Sequence, residues 1–78
     1  MQPEYNYFWA VVPSDTLNEP QPFDAIYVGV PGIVVVVRSD GTAVTLTGCL
    51  AGRVYPVRGI RINNTTTTAT DMVALKRV

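Results

Sequence analysis

Residues 27–48 read YVGVPGIVVVVRSDGTAVTLTG, and how this stretch is read decides the fold. Asp40-Gly41 is the strongest hairpin signal in the chain, because a two-residue turn needs φ > 0 and glycine adopts it without steric cost. Before that turn, residues 33–38 form a continuous apolar strand. After it, residues 42–47 alternate, with Val44 and Leu46 on one face and Thr45 and Thr47 on the other, the period of a half-buried antiparallel strand. Earlier in the stretch, VPGI is expected to be a type II turn, in which Pro31 presets its φ and Gly32 takes the positive one.

The run IVVVV is apolar on both of its faces. Val35, Val37, Val44 and Leu46 are expected in the core, which leaves Val34 and Val36 pointing the other way. A sheet with one wet face would not carry such a strand. Either the chain covers both faces itself, or the second face meets another subunit. For 78 residues the subunit is the favoured reading, since a long apolar surface left bare is an aggregation site.

The length allows one domain, and a domain this small is marginal unless disulfides, a metal or oligomerisation supplement its core. Cys49 is the single cysteine and there is no histidine, so neither an internal disulfide nor a zinc site can be drawn. Oligomerisation is the supplement left over. Charged residues make up 15% of the chain and hydrophobic ones 47%, a charge-poor surface against a usual share of about 25%. Such a composition fits a subunit whose flanks are covered by neighbours.

Elsewhere the turn residues mark out further β segments. Residues 7–12 are an aromatic and β-branched run stopped by Pro13. PSDTLNEPQP, residues 13–22, is an extended linker. Residues 23–30 resume strand character, residues 54–62 form another strand with Pro56 near its start, and residues 72–78 close the chain after the polar NNTTTTAT. The expectation is an all-β fold, a small antiparallel sandwich or barrel of about six strands. It divides into an extended N-terminal arm and linker, residues 1–22, and a β domain, residues 23–78.

The net charge is zero but unevenly placed. Glu4, Asp15, Glu19, Asp24 and Asp40 are opposed only by Arg38 in the first half. Arg53, Arg58, Arg61, Lys76 and Arg77 are opposed only by Asp71 in the second. Either one subunit's acids meet another's bases, which would fix a register in a ring, or the halves pair inside one domain.

Catalytic chemistry is not expected: without histidine the usual general base and metal ligand are missing. Ser14-Asp15 and Ser39-Asp40 read as turn chemistry. No phosphate-cradling loop or calcium loop has the right spacing, so no catalytic, cofactor or metal residues are assigned. RVYPVRGIRIN places Arg53, Arg58 and Arg61 near Tyr55, a pattern that single-strand-binding barrels use. Such domains are strongly basic, so nucleic acid is not expected as a partner. No segment has the length of a membrane span and no secretory leader is evident, so synthesis in the cytoplasm is expected. Cys49 reads as a small buried hydrophobe.

Residues 12–15, 25–36, 52–58 and 64–75 carry a family resemblance. They match, in order, a "VTPSD" opening, an "ARALYVGxxGDLAV" strand pair, a "GxxLP(I/V)R" segment and a Thr-rich "TGTTAT" run ending in an apolar "ILAL". The chain resembles the small head-spike base or head-decoration proteins of tailed bacteriophages and gene transfer agents. It departs from them in lacking the acidic residue after the second glycine, and its arm is more aromatic.

The resemblance implies a non-enzymatic virion protein on the capsid exterior: a homo-oligomer, trimer or pentamer, contacting the major capsid protein and possibly holding a head fibre. A neck or tail connector is the alternative. On this reading Tyr5, Tyr7, Phe8 and Trp9 anchor the arm on a capsid or sister subunit, a core plug being the alternative for Trp9. Val34 and Val36 meet a neighbour, and Arg58 and Arg61 pair with a neighbour's Asp15 or Glu19. Removing residues 1–12 is then expected to abolish attachment and leave the domain folded.

Overall fold

The computed structural model describes residues 5–77. Among them are seven strands and no helix: β1 (Tyr7–Ala10), β2 (Ala25–Val28), β3 (Gly32–Val37), β4 (Ala43–Cys49), β5 (Arg53–Tyr55), β6 (Arg61–Ile62) and β7 (Val73–Lys76). They form a four-stranded sheet in the order β1-β7-β2-β5 and a three-stranded sheet in the order β4-β3-β6, with every pairing antiparallel. The core lies between them. Ile26, Val28 and Ala74 come from one sheet, and Val34, Val36, Cys49 and Ile62 from the other, with Phe23 and Met72 in the same cluster. This is the expected antiparallel sandwich. One strand is added because the 54–62 segment divides: Pro56 donates no backbone N–H, and the chain crosses there from β5 in one sheet to β6 in the other.

The Asp40-Gly41 hairpin forms as read. Gly41 has φ +88°, its N–H donates to Arg38 O, and Arg38 N–H donates to Thr42 O at 2.8 Å. That closure sets the register: Val34 faces Leu46, Val36 faces Val44, and Val35 faces Thr45. Cross-strand partners share a face. Leu46 and Val44 therefore join Val34 and Val36, not Val35 and Val37 as the sequence reading had it.

Val34 and Val36 are core residues, 1% and 3% exposed, and Val35 and Val37 are buried as well. One chain covers both faces of β3. The assignment of Val34 and Val36 to a subunit contact is thereby corrected: they have no surface left to offer.

Residues 5–22 are likewise no free arm. β1 pairs along its whole length with β7, and Trp9 packs against the core. The linker then runs along β6, where Ser14 N–H donates to Ile62 O and Glu19 N–H to Ile60 O. A truncation through residue 12 removes a strand of the sheet, so it cannot leave the domain intact. Gly32 also has a different role from the one expected. It is not among the glycines of positive φ; a Cβ there would lie 2.6 Å from Thr68 Oγ1 and 2.7 Å from Ala69 N. Glycine is required for close approach, not for a turn.

Candidate functional site

Strand alternation in the four-stranded sheet separates two kinds of surface. Trp9, Ala74, Ile26 and Tyr55 stand in register across β1, β7, β2 and β5 and pack in or against the core. The residues between them point to the opposite side. One outer row runs Phe8–Leu75–Ala25 and the next Ala10–Val73–Tyr27–Val54. No residue in either row is charged. Phe8 is 64% exposed, Val54 46% and Tyr27 36%, and exposed Val12 follows directly after β1. Ala25 within these rows is fully buried, so the exposed apolar surface of this face lies at Phe8, Tyr27 and Val54, the kind of surface that protein contacts can cover.

Of the residues singled out from the sequence, Phe8 lies on this face. Tyr7 and Trp9 are on the other side of β1, with ring centroids 5.3 Å apart, and Tyr5 is half-buried just before the strand. Trp9 is no outward anchor. Its indole N–H donates to Glu19 Oε1 at 2.9 Å, so the tryptophan and the glutamate clamp the linker to the sheet. A buried indole normally finds such a partner.

The charged residues are also occupied at home. Asp15 accepts the Thr65 hydroxyl at 2.6 Å and the backbone N–H groups of Thr65 and Asn64. The Thr65 hydroxyl and N–H hold its carboxyl below the usual carboxylate range. Arg58 Nε pairs with Asp24 Oδ1 at 3.2 Å. Arg61 donates to Asn63 Oδ1 and Asn18 Oδ1. Both arginines thus have partners within the chain other than Asp15 and Glu19, and the acidic and basic halves meet within the domain at Asp24–Arg58, although the exposed Arg58 guanidinium stays accessible to a further acid. Arg58 remains 82% exposed beside Pro22, Asp24, Lys76 and Arg77 in a wide open cleft of about 540 Å³.

Tyr27 and Val54 belong to the outer face, and the sequence reading missed them. Their signal was present. AIYV in β2 is uncharged on both faces, as IVVVV is, but it is short and lies beside a far stickier run.

Ser14 and Asp40 perform turn chemistry: Ser14 Oγ accepts the N–H groups of Thr16 and Leu17, and Asp40 Oδ1 accepts that of Thr42. Cys49 is buried, and burial pushes its thiol pKa up, the opposite of what a reactive cysteine requires. Among the described residues no three His, Cys, Asp or Glu side chains gather.

No protein-family model matches the chain, and no curated protein matches it. Among solved structures it is similar to a chain in the capsid of a native GTA (gene transfer agent) particle, computed with C5 symmetry. The two are 32% identical with a TM-score of 0.85, over 94% of this chain and 84% of that one.

Proposed function

This chain belongs to the family of the gene transfer agent capsid component that it matches, and from that premise we propose that it works as a capsid decoration or head-spike base protein. It is a virion structural protein of the capsid, and on this proposal it sits on the shell exterior. Its role is structural rather than enzymatic: it assembles as a homo-oligomer, trimer or pentamer, in contact with the major capsid protein.

The observation that carries the reading is the match itself, 32% identity sustained over 94% of the chain. At that identity and coverage it extends beyond a shared fold. The outer rows of the four-stranded sheet supply the physical means. Phe8, Tyr27 and Val54 expose apolar surface that association would remove from water, at about 25 cal/mol per Å² buried. This face replaces Val34, Val36 and the Arg58 and Arg61 ion pairs as the proposed contact.

The test is reattachment. Particles lacking the protein are mixed with purified protein and imaged, and the purified protein is weighed by native mass spectrometry. The expected results are density on the shell exterior at one class of symmetry axis, and a mass of three or five times the 8.5 kDa chain. Density at the neck or tail would replace decoration with a connector role. Particles that never recover density would overturn the proposal.

A further inference from the structure

The sandwich has four sheet edges, and the chain disposes of them unequally. The β6 edge is covered by the linker through Ser14 and Glu19. The β5 edge is three residues long, carries Arg53 and runs straight into Pro56, devices that discourage strand addition. The β1 edge is four residues long. β4 is the longest strand among the described residues, reads AVTLTGC without charge or proline, and no described strand pairs beyond it in its sheet.

The free hydrogen-bonding groups on that edge can be identified. Val35 O accepts from Asn63 N–H and Val37 O from Ile60 N–H, so these two residues direct their backbone toward β6. In an antiparallel pair, residues alternate between bonding their partner and pointing away from it. Thr45 and Ala43, which face Val35 and Val37, therefore turn their own N–H and C=O groups outward.

A second feature lies beside this edge. Val36, Val44, Leu46 and Val57 line a cleft of about 240 Å³ whose other two lining residues are Arg38 and Arg58. Among the described residues no acidic side chain lines it. Each arginine holds one acid, Asp40 at 3.3 Å and Asp24 at 3.2 Å, through pairs in which the arginine is mostly exposed; such pairs are weak.

We propose that β4 is a strand-addition site for an extended segment of a partner protein, with apolar residues at alternate positions flanked on the same face by carboxylates. The segment's backbone would bond Ala43 and Thr45, its apolar side chains would enter the cleft over Val44 and Leu46, and its acids would reach Arg38 and Arg58. Main-chain bonding supplies affinity and the alternate side chains supply selectivity. The proposal stands on the edge and the cleft, and does not depend on the virion assignment.

The probe is the peptide acetyl-Glu-Thr-Val-Thr-Val-Thr-Glu-amide, titrated into the isotope-labelled full chain and followed by NMR and amide exchange. Saturating peptide is expected to slow exchange at Ala43 and Thr45 by about tenfold or more. The same peptide with Lys in place of Glu is expected to bind about tenfold more weakly. Thr45→Pro removes one outward N–H without removing a bond inside the chain, a substitution that edge strands tolerate. It is expected to abolish binding. If that variant fails to fold, Val44→Glu serves instead, placing a repelling carboxylate at the cleft, with an expected loss of about tenfold.

Unchanged exchange at Ala43 and Thr45, or native binding by the folded variant, overturns the proposal. So does a Thr45 amide already protected in the isolated protein and exposed on dilution, because a second copy would then fill the edge.

Discussion

Between β1 and β6 the chain closes its own sandwich; between β4 and β5 it leaves the sandwich open. On the closed side the linker hydrogen-bonds to β6 at Ser14 and Glu19, Trp9 is clamped to Glu19, Arg61 reaches Asn18, and Asp15 holds the 64–65 turn. On the open side Val36, Val44, Leu46 and Val57 line a cleft, and Val44 is exposed. Both sides present the same problem, apolar core at the mouth of two stacked sheets. The difference is that ten residues of proline-rich linker cover one side and no such segment covers the other among the described residues.

The largest test of this contrast removes the plug on the closed side. Trp9→Ala deletes the indole from the Trp9–Ala74–Ile26–Tyr55 row and leaves Glu19 without its donor. A fully buried tryptophan costs about 3–5 kcal/mol when truncated; for half-buried Trp9 we expect about 2–4 kcal/mol, read by urea unfolding. A loss under about 0.5 kcal/mol, the range of an ordinary surface change, would mean that the linker does not close the core.

Matched substitutions then compare the two mouths directly. Val11 packs against the core on the closed side, and Val44 lies at the open cleft. Val→Thr keeps the shape and exchanges a methyl for a hydroxyl, which costs about 1–3 kcal/mol where it is buried without a partner and within about 0.5 kcal/mol where water reaches it. Val11→Thr is therefore expected to cost about 1 kcal/mol and Val44→Thr less than about 0.5 kcal/mol. Equal costs would erase the distinction between the sides.

Much of this architecture was legible in the residues. Asp40-Gly41 fixed the β3–β4 hairpin, and the alternation of Val44, Thr45, Leu46 and Thr47 marked an antiparallel strand. The candidate surface was not legible, for a physical reason. A run such as IVVVV says that both faces of a strand are covered, but alternation cannot say by whom. Covering by a neighbour and covering by residues far along the same chain leave an identical pattern. The register that put Val34 and Val36 inside depends on Arg38 bonding Thr42 across the turn. The closed side depends on contacts such as Trp9–Glu19 and Asp15–Thr65, in which ordinary linker residues act only through their three-dimensional neighbours. The face that does remain bare, with Phe8, Tyr27 and Val54, is assembled from three strands, each too short to stand out alone.

Acid offers the gentlest way to loosen one side and not the other. Asp15 lies in the linker, and its carboxyl is held below the usual range by the Thr65 hydroxyl and N–H, with Asn64 N–H adding to them. A group whose pKa is depressed by folding contributes stability above its unfolded value, about 3.9 for Asp, and that contribution is lost as pH falls through the folded value. Asp15→Asn removes the titrating charge. The variant is expected to be slightly less stable than the parent at neutral pH, with the two converging below about pH 4. Asp40 is depressed in the same direction by the Thr42 N–H but is present in both proteins, so it cancels in the comparison. Trp9, the only tryptophan, sits in the closure and reports it by fluorescence. If the two proteins keep a constant stability gap through the acid range, the Asp15 carboxylate is not what ties the linker to residues 64–65.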